Sequence, residues 1–184
     1  AVAGDGDLAE RFVAMVDPLR YPTGGADAAV LREVRRLKAR MEAERLPRGV
    51  DPARHLKLGR GGLRDVEWTA QLLQLQHGHE VPGLRTTSTL DALAAAEEAG
   101  LLAADDAETL REAWTLCSQL RDVLVLWTGR AGGPSGDVLP HDRRALAGLA
   151  RLLGMPPGSG SELEEHFLRA GRRARAVVER VFYG

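Results

Sequence analysis

Apolar positions recur at three- and four-residue steps along most of the chain, and the alternation that marks a half-buried strand never persists. The clearest stripe is Leu110, Ala113, Trp114, Cys117, Leu120, Leu124 and Trp127, which predicts a helix over 104–128 with that row turned inward. Leu8, Phe12, Met15 and Val16 share one face of a helix expected over 5–17 and ended by Pro18. Asp27 has the acceptor side chain of an N-cap for a helix reaching about 46, with Val30, Val34, Leu37 and Met41 as its stripe. A third helix is expected over 63–78. A fourth is capped by Ser88, carries Leu90, Leu93 and Ala94 inward and stops at Gly100. A short sixth helix spans 142–153, and Pro156–Gly160 breaks it. Ser161 and Glu164 have the spacing of a capping box for a seventh helix ending near Tyr183, with Leu163, Phe167, Ala174, Val177, Val178, Val181 and Phe182 as its row.

The pattern therefore predicts an all-α fold, a bundle of about seven helices, with no repeat of fixed period. The longest break, 47–62, holds a possible short extended piece at 55–58 and then Gly59-Arg60-Gly61-Gly62. We expect one helical domain over 1–184, made of N-terminal helices (1–46), the Gly-rich connection (47–62) and the main bundle (63–184). Residues 129–140, GRAGGPSGDVLP, are expected to form a flexible loop.

The chain has 184 residues, long enough to bury a core without staples. The formal net charge of -1 and 4 % aromatic content disfavour nucleic acid as a partner. One cysteine, Cys117, excludes an internal disulfide and a Cys-rich zinc site, and on its stripe it is expected to be a core residue. That cysteine usage, with no signal peptide and no apolar run of membrane-spanning length, points to the cytoplasm and away from a membrane. No initiator Met opens the chain, so a piece of a longer or processed protein is expected. Only Lys38 and Lys57 are lysines, a bias that genome base composition explains. Charge is segregated along the chain. Residues 32–48 hold seven Arg/Lys, 91–112 hold seven acids, and 169–180 hold five Arg. These are either solvated faces that pair with one another or docking surfaces for an acidic or nucleotide-bearing partner.

Chemistry concentrates in residues 57–68, Lys-Leu-Gly-Arg-Gly-Gly-Leu-Arg-Asp-Val-Glu-Trp. Gly59, Gly61 and Gly62 permit positive φ and close backbone approach. They lead into a helix start, where free N–H groups and the positive dipole end favour an anion. Lys57, Arg60 and Arg64 add positive charge around it. Asp65 lies in the first helical turn. Glu67 is about 200° further round the helix, so the two carboxylates cannot clamp one ion from a single face. The plainer reading is a Gly-rich loop ending in a dipole-matched helix cap. The spacing fits neither a P-loop nor a dinucleotide fingerprint. His55, His77 and His79 lack metal-ligand spacing, and no GxSxG context exists.

The run from Lys57 to Trp68, followed by Gln71 and Leu75, resembles the signature region of glutamine synthetase adenylyltransferases, K-x-G-x-G-G-[IL]-x-[DE]-[IV]-E-[FW]. Trp68 stands where Phe is commoner. Leu84-Arg85, Thr87-Ser88-Thr89-Leu90, Ala99-Gly100-Leu101-Leu102 and the opening AVAGD are similar to other stretches of that family, in the same order. The resemblance covers essentially the whole chain. It implies a two-headed parent in which each half is a nucleotidyltransferase domain followed by a helical domain. One half transfers AMP from ATP, with Mg²⁺, to a tyrosine of glutamine synthetase. The other removes it by phosphorolysis, and glutamine and a PII signalling protein govern the balance. RYP and VVERVFYG resemble the C-terminal, adenylylating half of actinobacterial members.

The family's catalytic carboxylates sit in a D-x-D pattern on strands, which nothing here matches, so no catalytic or metal-binding residue is carried over. The expectation is an accessory domain, inactive alone and binding no cofactor itself. In it Lys57, Gly59, Arg60, Gly61, Gly62, Arg64, Asp65 and Glu67 support nucleotide phosphates or the interface with the nucleotidyltransferase domain, Asp65 and Glu67 orienting the basic groups. The alternatives are a non-catalytic module that docks glutamine synthetase or PII through its charged faces, and a stand-alone structural bundle.

Overall fold

A computed structural model describes residues 4–130 and 136–184. The opening Ala1–Ala3 and the middle of the expected 129–140 loop, 131–135, lie outside the described residues. Among the described residues seven α-helices follow one another: α1 (Gly6–Arg20), α2 (Ala28–Arg45), α3 (Leu63–His77), α4 (Thr89–Glu98), α5 (Ala104–Thr128), α6 (Arg143–Leu152) and α7 (Gly160–Val178). No strand stands among the described residues; the nearest thing is an isolated antiparallel bridge between His55 and Val138, all that forms of the extended piece expected at 55–58.

Side-chain caps start several helices, at Asp27 and Ser88 as the sequence predicts and at Asp142 besides. The Asp27 carboxylate accepts the N–H groups of Ala29 and Val30, both at 2.8 Å, and Ser88 and Asp142 accept those of Asp91 and Ala145. Two boundaries differ from expectation. Pro18 does not end α1 but lies in its last turn, where few N–H donors remain to be lost before the chain leaves at Tyr21. The capping box at Ser161 and Glu164 does not form: α7 begins at Gly160 after Ser159, and Glu164 pairs with Arg54 instead. Beyond α7 the chain widens into a π-helical turn, Glu179–Tyr183, which buries Phe182.

The buried apolar side chains form two clusters spanned by α5 and α7, which run antiparallel. One gathers Leu72, Leu73, Leu84, Leu93, Leu110, Val178 and Phe182 from α3, α4, the start of α5 and the end of α7. The other gathers Leu56, Leu63, Leu120, Leu124, Leu139, Leu149 and Phe167 from the end of α5, α6 and the start of α7. Trp114 packs against both, and Cys117 is buried as expected. Trp127 is not a core residue; it is 43 % exposed and lies across Gly148 of α6, where an added Cβ would meet the indole ring at 2.3 Å.

The stripe of α1 also stays outside. No residue of α1 is buried, and Leu8, Phe12, Met15 and Leu19 are 58–77 % exposed. The linker after α1 is nonetheless fixed to α3: Ala26 N–H donates to the Leu75 carbonyl at 2.9 Å, and the buried Tyr21 ring packs against Gly78. Arg20 and Arg85 both lie against that ring, 4.9 and 5.5 Å from its centre.

Candidate functional site

Residues 57–68 fold as a tight turn leading into α3, with the turn wedged against α7. A Cβ at Gly61, where φ is +72°, would come within 2.0 Å of the Gly171 carbonyl oxygen, and one at Gly59 within 2.3 Å of the His55 and Pro52 carbonyls. Only glycine permits that approach. The Gly-rich run thus packs backbone on backbone.

The expected anion cradle at the start of α3 is not there. Leu63 N–H donates to the Leu56 carbonyl, Arg64 N–H to Lys57, and Asp65 N–H to Gly62, each at 3.0 Å, so the chain itself satisfies the groups that would have met an anion. Gly61 N–H donates to the Asp65 carboxylate at 2.8 Å. A phosphate held by this helix end does not fit what is present.

Asp65, 3 % exposed, is the centre of a buried ion cluster. Its two oxygens take Gly61 N–H, the Lys38 ammonium of α2 at 2.6 Å and the Arg175 guanidinium of α7 at 3.2 Å. Lys38, itself 2 % exposed, also pairs with Glu42, which takes Arg175 at 3.2 Å and the Tyr183 hydroxyl at 3.0 Å. Arg175 Nε reaches Glu179 at 2.9 Å. At the centre two cations face two carboxylates, the balance that makes buried charge tolerable. Burial alone would lower the Lys38 pKa, but the charge of Asp65 and the hydrogen bonds to Asp65 and Glu42 raise it above its usual 10.5. Burial pushes Glu42 up, and Lys38, Arg175 and Tyr183 together bring it below its usual 4.5. Arg175 is likewise raised against the pull of burial by Glu179, Asp65 and Glu42. Burial raises the Tyr183 phenol.

The eight residues singled out in the sequence therefore divide. Gly59, Gly61, Gly62 and Asp65 are buried and build the turn. Lys57, Arg64 and Glu67 are half-buried and Arg60 is exposed, and none of these four has an ion pair among the described residues. Asp65 does not orient Lys57, Arg60 or Arg64, as the sequence suggested; its partners are Lys38 and Arg175, 27 and 110 residues away. Glu67 lines a cleft of about 360 Å³ with Arg20, Tyr21, Gln71, Gln74 and the Thr86–Thr89 turn.

Sequence reading missed the cluster and a second buried cation. Arg54 donates through Nε to the Leu139 carbonyl at 3.0 Å and pairs with Glu164, clasping the 47–62 connection to the segment after α5 and to α7. Beside it, His55 Nδ1 accepts the N–H groups of Lys57 and Leu58, and burial lowers its pKa. The only sequence signal for the cluster was the rarity of lysine at Lys38, which base composition explained equally well.

Among the described residues no group of three or more His, Cys, Asp or Glu could hold a metal ion. Asp65 and Glu42 already face two cations, so this donor set does not fit Mg²⁺. No described helix is long and apolar enough to cross a membrane.

A family model described as GlnD PII-uridylyltransferase matches residues 30–183. A protein of Streptomyces avermitilis is 57 % identical over 183 residues, and one of Streptomyces coelicolor is 55 % identical over 182, covering 100 % and 99 % of this chain. A Nocardia farcinica protein is 56 % identical over 182 residues, 98 % of this chain. All three are named bifunctional glutamine synthetase adenylyltransferase/adenylyl-removing enzyme, and the chain spans 18 % of the length of each. The chain belongs to the GlnD PII-uridylyltransferase family, and its high-identity relatives are actinobacterial glutamine synthetase adenylyltransferases.

Proposed function

We infer that this chain is the helical accessory domain of a bifunctional glutamine synthetase adenylyltransferase. It follows a nucleotidyltransferase domain, in the C-terminal, adenylylating half, and packs on that domain to support its active site. The parent works in the cytoplasm with ATP and Mg²⁺, acts on glutamine synthetase and answers to glutamine and a PII protein. The helical chain holds no catalytic carboxylates and transfers no AMP alone.

The observation that carries this reading is the division of the 57–68 segment. Its buried half is consumed in building the turn, while the half-buried Lys57, Arg64 and Glu67 and the exposed Arg60 have no ion pair among the described residues. Charged side chains held on a rigid turn suit an interface with a charged neighbour. The bare face of α1 supports the same reading. Leu8, Phe12, Met15 and Leu19, 58–77 % exposed, would each gain about 1–2 kcal/mol on burial against a neighbouring domain. Docking of glutamine synthetase or PII through the segregated charges is the weaker alternative. Arg173 pairs with Glu112 and Arg180 with Asp106, so basic and acidic stretches already meet each other.

Glu67→Ala in the intact enzyme tests the supporting role. Glu67 has no ion pair among the described residues, so stability should change by only about 0–1 kcal/mol, the range of a surface charge. AMP transfer to glutamine synthetase should fall about tenfold or more, as when a positioning contact is lost. Unchanged transfer with unchanged stability would defeat the role.

A further inference from the structure

A second concavity, sharing no lining residue with the cleft at Glu67, lies between the Gly-rich turn and α7. It measures about 360 Å³ and is bounded by Arg60 on the turn, by Arg172 and Arg175 on α7, and by Ala53, Leu168 and Ala176. Its backbone is fixed. The Gly61–Gly171 contact sets the turn against α7, and the Arg60 carbonyl lies 3.4 Å from where a Cβ of Gly171 would stand. Arg60 and Arg172 are thereby carried on two surfaces that cannot separate without breaking the turn.

The charges in this cleft are unbalanced. Arg175 spends its guanidinium on Asp65, Glu42 and Glu179. Glu179, the one carboxylate in the lining, is held by Arg175. Arg60 and Arg172 are exposed and have no carboxylate partner among the described residues. Two free guanidiniums beside a third held in place, with short apolar walls, make a site for a tetrahedral oxyanion, because the planar fork of arginine donates two parallel hydrogen bonds to a phosphoryl group.

We propose that the cleft between the Gly-rich turn and α7 binds a phosphoryl group through Arg60 and Arg172, with Arg175 as the anchored third wall. The buried ion cluster then has a second consequence: by holding Arg175 it keeps the floor of the cleft in place. The inference deepens the reading of residues 57–68 above, resting on it for the outward role of Arg60.

The test is calorimetric titration of the 184-residue chain at physiological salt, with inorganic pyrophosphate and with ATP as separate probes. The native chain should bind at least one of them saturably, one per chain. Pyrophosphate alone would identify a free phosphoanion, and ATP alone a nucleotide-borne one. Arg60→Gln and Arg172→Gln should each weaken binding about tenfold, the loss of one charge-assisted bidentate contact. Arg180→Gln, which removes an exposed arginine paired with Asp106, should leave binding within about twofold, as expected where only long-range screened charge is lost. No saturable binding of either probe, or an equal loss in Arg180→Gln, would overturn the proposal. Since the supporting role is tested by AMP transfer in the Glu67→Ala enzyme, and Glu67 lines the other cleft, the two readings fail separately.

Discussion

Asp65 shows how one side chain can decide a local fold. In sequence it is an ordinary first-turn acid on a helix; in the structure it joins α2, α3 and α7 through Lys38, Gly61 and Arg175. Asp65→Ala leaves the buried Lys38 with only Glu42 to answer it, and Arg175 with Glu42 and Glu179. A loss of about 3–5 kcal/mol is expected, read from the urea midpoint of the chain. Gly61 is decisive for a steric reason. At φ +72°, with a carbonyl oxygen 2.0 Å from any added Cβ, Gly61→Ala should cost well over the ~1–2 kcal/mol of left-handed strain alone, because the turn must lift off α7. Cys117 makes the opposite case. Burial pushes its thiol up to about 12, so the native chain should resist iodoacetamide at pH 8 and react only on unfolding.

At the scale of elements, α3 to α7 were legible because each buries a periodic stripe, and α5 matches its expected bounds. What misled was the assumption that every apolar stripe is covered. The row on α1 is as regular as that on α5, but periodicity reports only that a face is apolar, not what lies against it. The candidate segment was legible as a glycine turn feeding a helix and illegible in its wiring, because Lys38, Arg54 and Arg175 come from far along the chain. That wiring gives α2 a pH dependence. Lys38 is raised above 10.5 and Tyr183 above 10.0, so their contributions are complete below pH 10 and fade as pH rises through the folded values. Glu42 is lowered from 4.5, so its contribution is present above that pH and fades as acid protonates it. His55, lowered from 6.5, adds an earlier loss that starts as pH falls through that value. Urea midpoints across pH should therefore show a plateau between about 7 and 10, and Lys38→Met should flatten its alkaline edge.

For the whole molecule, the central claim is that this helical chain is one part of a larger enzyme and works through the outer face of its first helix and its Gly-rich turn. The family relation was readable from the order of short motifs along the chain. The division of the turn into buried scaffold and outward charge needed the structure, since neighbouring residues such as Arg64 and Asp65 go to opposite duties. Hydrogen exchange, compared between the 184-residue chain alone and the same residues within the intact enzyme, is the most direct measurement. The account predicts that α1 exchanges quickly in the isolated chain and is protected in the intact enzyme, while the internally hydrogen-bonded 59–65 turn, α5 and α7 are slow in both. Equal exchange of α1 in the two settings would contradict it.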